Sequence, residues 1–231
     1  KCYRRFCTFS GTKNKMTDER EQLPSAVDDA ADVMSNYDRP AYDDPAPDGT
    51  DEPYDGPQLL PMTHEFLQQA PSEIDVEKED LKQLKADLLK AMYYYQGIGL
   101  SANQVGIDGR YFVIGDGKEE EPFEKAFFNP QIISVSKDED IMREGCLSFP
   151  GLWLMVKRPV QVTLKYINSE GEEMVETYEE TTARVILHEY DHMLGANFTH
   201  RVSKLKLERG MKAMAKKHKK YQRQMRRYLQ A

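Results

Sequence analysis

Residues 180–194 read Glu180-Thr181-Thr182-Ala183-Arg184-Val185-Ile186-Leu187-His188-Glu189-Tyr190-Asp191-His192-Met193-Leu194. Ala183, Ile186, Leu187, Tyr190 and Leu194 recur at steps of three and four, which predicts an amphipathic helix over 180–194. On that helix the histidines at i and i+4 face one side about one turn apart, so both imidazoles can reach a single metal ion. Glu189 stands beside them and can take a proton from a water held there. Taken alone, the five-residue pattern His188-Glu189-Tyr190-Asp191-His192 is equally compatible with an ordinary helix that holds no ion.

Upstream of this helix the pattern changes from period 3.6 to period 2. Val160, Val162, Leu164 and Tyr166 alternate as on a half-buried strand, and Asn168-Ser169-Glu170-Gly171 turns the chain into a second strand near Met174–Tyr178. Shorter β-rich pieces precede them at Tyr111–Ile114, Ala126–Phe128 and Gln131–Val135. Leu81, Leu84, Leu88, Met92 and Tyr95 mark an earlier helix, with Gly97 placed as its C-terminal cap. Downstream, Leu207, Met211, Met214, His218, Tyr221, Met225 and Tyr228 step by fours and threes along a long basic helix. Helix, strands, helix, helix predicts an α+β fold.

The whole chain has 231 residues, 39% hydrophobic and 31% charged, with a mean hydropathy of −0.72. No run of about eighteen apolar residues is present, which excludes a membrane-spanning helix, and no apolar signal region opens the sequence. Three cysteines (Cys2, Cys7, Cys146) do not make a disulfide framework, so a reducing, cytoplasmic compartment is expected. The net charge of −7 conceals opposite ends: residues 16–56 carry 13 acids against 2 bases, and residues 201–231 carry 12 bases against one acid. Residues 1–56, proline-rich and mostly acidic, are expected to form a disordered extension. The first fifteen, basic and without an acid, would point to an organelle if they are the remnant of a leader. A folded unit over 57–202 and a basic amphipathic helix over 203–231 complete the expected organisation, and nothing in the sequence requires more than a monomer.

A two-histidine site needs a third ligand. His200, eight residues after His192, does not fit the spacing of the longer zinc-protease motif. Cys146, in Glu144-Gly145-Cys146-Leu147-Ser148-Phe149-Pro150, is the better candidate, although a single cysteine also reads as a small buried apolar residue. A third stretch, Gly97-Ile98-Gly99-Leu100-Ser101-Ala102-Asn103-Gln104-Val105-Gly106, lets a backbone or a ligand approach closely, and Gln104 offers an amide donor to an oxyanion.

In this order and at these separations, the three stretches at 97–106, 144–148 and 188–192 resemble the signatures of the peptide deformylase family, and the resemblance spans about 57–202 with Phe128-Asn129-Pro130 between the first two. It implies antiparallel β-sheets packed around a central metal-binding helix. It further implies one divalent ion, Fe²⁺ natively with Zn²⁺ or Ni²⁺ as alternatives, held by Cys146, His188 and His192. Glu189 would be the general base and acid, while Gln104 and the Leu147 backbone N–H would hold the oxyanion. Ile98, Gly99, Gly145 and Trp153 would line the substrate groove. The implied reaction removes the formyl group from the N-terminal methionine of newly made peptides and releases formate. A metallopeptidase or amidase of altered specificity would use the same metal and base.

The sequence departs from the family at Ser101, where alanine is usual, at Leu187, where glutamine is common, and at His200, where aspartate is frequent. Gly151-Leu152-Trp153 looks like the plastid and cyanobacterial branch. The basic C-terminal helix has two readings: a solvated helix whose apolar stripe packs back on the domain, or a ribosome-docking element attracted to RNA phosphate.

Overall fold

The computed structural model describes residues 54–118 and 123–229, so the expected disordered extension lies, up to residue 53, outside the described residues. Among the described residues there are three α-helices: α1 (Leu81–Tyr94), α2 (Glu180–Met193) and α3 (Lys204–Leu229). Seven strands accompany them: β1 (Gly99–Ser101), β2 (Tyr111–Gly115), β3 (Glu124–Val135), β4 (Glu139–Glu144), β5 (Leu154–Pro159), β6 (Gln161–Ile167) and β7 (Glu173–Glu179). All pairings are antiparallel, in a five-stranded sheet of order β1-β2-β3-β6-β7 and a separate β4-β5 pair. This is the α+β architecture expected from the sequence. None of the described helices is long and apolar enough to cross a membrane.

The core is divided by the large sheet. Every residue of β2 is buried because both of its faces are covered. Tyr111 and Val113 join Leu88, Leu89 and Met92 of α1 on one side, and Phe112 and Ile114 join Ile186, Leu187 and Tyr190 of α2 on the other. Strand β6 alternates as its sequence does, with Val162, Leu164 and Tyr166 pointing toward α2. A third apolar cluster lies between the β4-β5 pair and α3, where Leu152, Leu154 and Val156 meet Leu207, Met211 and Met214.

Two local expectations need correction. The pieces at Ala126–Phe128 and Gln131–Val135 are one strand, β3, interrupted in register but not in course. Asn129 takes a left-handed conformation (φ 49°), its side-chain amide bonds both the N–H and the carbonyl of Ile74, and Pro130 has no donor to contribute. At the end of α1 the left-handed position is filled by Gln96 (φ 55°) and not by Gly97. Gly97 instead donates its N–H to Met92 O at 2.8 Å, which closes the helix end.

Candidate metal centre

Helix α2 is the axis of the site. Ten of its fourteen residues are buried, among them Arg184, His188, Glu189, Asp191 and His192, so its polar side chains must find partners inside the protein. Cys146 arrives on the segment between β4 and β5. Gln104 arrives on a 3₁₀ turn (Ala102–Val105) that follows the edge strand β1.

The ligating atoms of Cys146, His188 and His192 lie within 4.8 Å of one another. Cys146 Sγ is 3.5 Å from His192 Nε2, close to the separation of about 3.6 Å that a tetrahedral ion with ordinary metal–sulfur and metal–nitrogen bonds requires. His188 places Nδ1 3.1 Å from Glu144 Oε2, which leaves its Nε2 for an ion. His192 Nδ1 is buried without a hydrogen-bond partner among the described residues. A thiolate and two imidazoles, one already oriented by a carboxylate, fit a divalent transition metal.

Behind the candidate ligands lies a buried ionic network that sequence reasoning did not identify. Arg158 donates from Nε and Nη2 to the two oxygens of Glu144 at 2.8 and 2.9 Å, and from Nη1 to Asp191 at 3.0 Å. Arg184 adds a 2.7 Å bond to Glu144, and Arg201 holds Asp191 from the far side. Burial opposes ionisation of Glu144, but the hydrogen bonds from His188 and Arg158 overcome it and hold the carboxyl well below the usual range. One signal was available: an arginine at an inward position of Leu154-Met155-Val156-Lys157-Arg158 requires a buried anion.

Glu189 is buried, and burial pushes its carboxyl upward from the ordinary value against the pull of His188 and Ser101. Ser101 Oγ donates to Glu189 Oε2 at 2.7 Å, so the departure from the family's usual alanine touches the candidate base directly. Gln104 accepts the Ser101 N–H through Oε1 at 2.9 Å. That bond fixes the amide so that Nε2 faces Cys146 Sγ (3.3 Å) and Ser148 Oγ (3.1 Å).

These groups face a cavity of about 560 Å³ whose lining includes Ile98, Gly99, Gln104, Gly145, Cys146, Leu147, Trp153, His188 and Glu189. Every candidate residue except His192, which is wholly buried, reaches this cavity. Gly99 is a steric requirement: a Cβ there would stand 2.6 Å from Glu189 Oε1 and 2.9 Å from Val185 Cγ1. Trp153 is half exposed and carries the Arg143 guanidinium 4.5 Å above its ring. The other two departures are structural. Leu187 packs in the core under α2, and His200 closes a capping box with Asn197.

The family model for polypeptide deformylase matches residues 57–208. The chain belongs to the peptide deformylase family. A peptide deformylase of Phenylobacterium zucineum is 37% identical over 166 residues, covering 71% of this chain and 96% of that relative. Among solved structures, the Synechococcus elongatus peptide deformylase in complex with actinonin has a TM-score of 0.65 at 32% identity, covering 70% of this chain and 90% of that one. The plant peptide deformylase PDF1B has a TM-score of 0.66 at 31% identity, covering 75% and 95%. The deformylase family is metal-dependent, and in this member Cys146, His188 and His192 form a group able to bind an ion.

Proposed function

We propose that this chain hydrolyses the formamide bond of N-formyl-methionyl peptides, with Glu189 as the proton carrier and Gln104 and Leu147 as the oxyanion donors. The observation that carries this reading is the convergence of Glu189, the Gln104 amide, Cys146 and His188 on one cavity, with His192 completing the ligand group from the buried side. When bound, a divalent ion, in our reading Fe²⁺, supplies Lewis acidity at the formyl oxygen and lowers the pKa of water.

The remaining chemistry belongs to the chain. Ile98 and Gly99 offer an extended peptide the open edge of β1, while Gly145 and Trp153 line the cavity beside Cys146. Glu189 takes a proton from the attacking water as the oxygen adds to the formyl carbon. Gln104 Nε2 and the Leu147 N–H donate to the oxygen on which charge develops. The C–N bond then breaks, Glu189 returns its proton to the leaving amine, and formate and a free N-terminus depart.

Formate release from a short formyl-Met peptide, by anaerobically purified protein of measured metal content, tests this reading. The Glu189→Ala variant should keep its metal and lose at least about 10³-fold in kcat. Retention of turnover by that variant would overturn the assignment.

We further infer that residues 203–231 dock on ribosomal RNA in a cytoplasm-like compartment, as the basic helix and the implied nascent substrate suggest. Because Leu207, Met211 and Met214 anchor α3 in the core, the informative truncation is a chain ending at Ala215. Ribosome pelleting should fall in that truncated form; equal pelleting would refute the inference.

A further inference from the structure

Helix α3 is two different objects along its length. Its first part is held by Leu207, Met211 and Met214 against the β4-β5 pair, and Gly210 permits the close approach, since a Cβ there would stand 2.5 Å from Leu154 Cδ2. Beyond Met214 no described side chain of the helix is buried. Lys216, Lys217, Lys219, Lys220, Arg223, Arg226 and Arg227 are all exposed, and no carboxylate lies among them in the sequence. None of these seven takes part in the ion pairs found among the described residues.

Such a segment is electrostatically unfavourable by itself. Lys212–Lys216, Lys216–Lys220, Lys219–Arg223 and Arg223–Arg227 are like-charge pairs at i,i+4, which weaken a helix that has no packed face to compensate. A counter-anion relieves that repulsion, and the chain carries one of matching size. Residues 18–52 hold twelve carboxylates against two arginines, and the chain enters the described fold at Tyr54, stacked on Tyr94 at 4.0 Å. A linker of that length reaches on the order of 30 Å even as a coil, whereas the charged half of α3 is about 17 Å long. Being tethered, it acts at an effective concentration on the order of millimolar, which a free competitor must exceed.

We propose that the acidic segment 18–52 docks along the outer half of α3 as an intramolecular counter-charge, which nucleic acid must displace in order to bind there. The contact is independent of the catalytic assignment.

Zero-length carbodiimide coupling of the full-length protein, read by mass spectrometry, tests the contact. Amide links should join Asp32, Asp38, Asp43, Asp44 and Asp48 to Lys216, Lys217, Lys219 and Lys220 within one molecule. They should vanish near 1 M salt, where screening acts within about 3 Å. In parallel, a full-length variant with those five acids changed to Asn should bind poly(U) RNA about five-fold more tightly at low salt. Links spread equally over Lys78, Lys118 and Lys157 of the domain would overturn the proposal. So would links formed only between differently labelled copies, no links at all, or an RNA affinity unchanged within two-fold. If neither form binds RNA, the cross-link pattern alone decides.

Discussion

Glu144 and Glu176 are both held below the ordinary carboxylate pKa by close cationic and hydroxyl donors, yet they sit in opposite surroundings. Glu144 is 6% exposed and gathers Arg158, Arg184 and His188 behind the candidate metal site. Glu176 lies on the sheet with a side chain 30% exposed, and takes bonds from Lys125 at 2.6 Å, Tyr166 at 2.7 Å and Tyr178. Partial burial opposes its ionisation, but these donors hold it at about 2. The buried cluster has no water to fall back on, so each member depends on the others and the whole fixes His188. The surface cluster shares its charge with solvent and salt, so it contributes little and positions nothing in the site.

Breaking the buried cluster should have the largest effect. Arg158→Ala strips both Glu144 and Asp191 of their central partner and should cost about 3–5 kcal/mol of stability in denaturant unfolding; a loss under about 1 kcal/mol would show that the buried charges do not depend on one another. Glu144→Gln is gentler, because the shape is kept while the charge facing His188 is removed. Metal affinity, measured by competition with a chelator, should fall about 10- to 100-fold, as expected when a histidine ligand loses its orienting carboxylate. Unchanged affinity would show that Glu144 supports the fold alone.

The smallest effect belongs to the surface. Glu176→Gln should lower Tm at pH 7 by only about 2 °C. Its sign with pH is specific: a carboxylate depressed from 4.5 to about 2 stabilises the fold above pH 4.5, and the contribution disappears as pH falls from 4.5 toward 2. The Tm difference between variant and parent should therefore close over that interval, and a difference that persists at pH 2 would assign the loss to packing.

The same contrast explains what could be read from the sequence. Apolar periodicity revealed α1, α2, β6 and the inner part of α3, since each has a face buried against hydrocarbon. Strand β2, covered on both faces, read as a continuous β-rich piece, and β7 was found from the turn at Asn168–Gly171 that precedes it. Strands β4 and β5 gave no such signal. In Glu139-Asp140-Ile141-Met142-Arg143-Glu144 the inward position is occupied by Glu144, and across the pair Arg158 replaces a third apolar residue after Leu154 and Val156. An ionic interior removes the alternation by which a strand is recognised. Strand β1 was hidden differently: Gly99-Leu100-Ser101 is three residues long in a glycine-rich stretch that reads as a loop. His188, Glu189 and His192 were legible because their spacing is local, and Cys146 because its segment and theirs stand in the family's order. The bond from Ser101 to Glu189, by contrast, joins residues 88 positions apart and carries no local pattern.

Gly99 brings the groove wall and the candidate base into direct register, because the space a side chain would need is already occupied by Glu189 and Val185. The consequence is evolutionary. A lineage under selection from a groove-binding inhibitor cannot escape by enlarging this position, since any side chain that blocked the inhibitor would also displace the carboxylate. Escape is open instead to exposed lining positions such as Ile98, Trp153 and Met142.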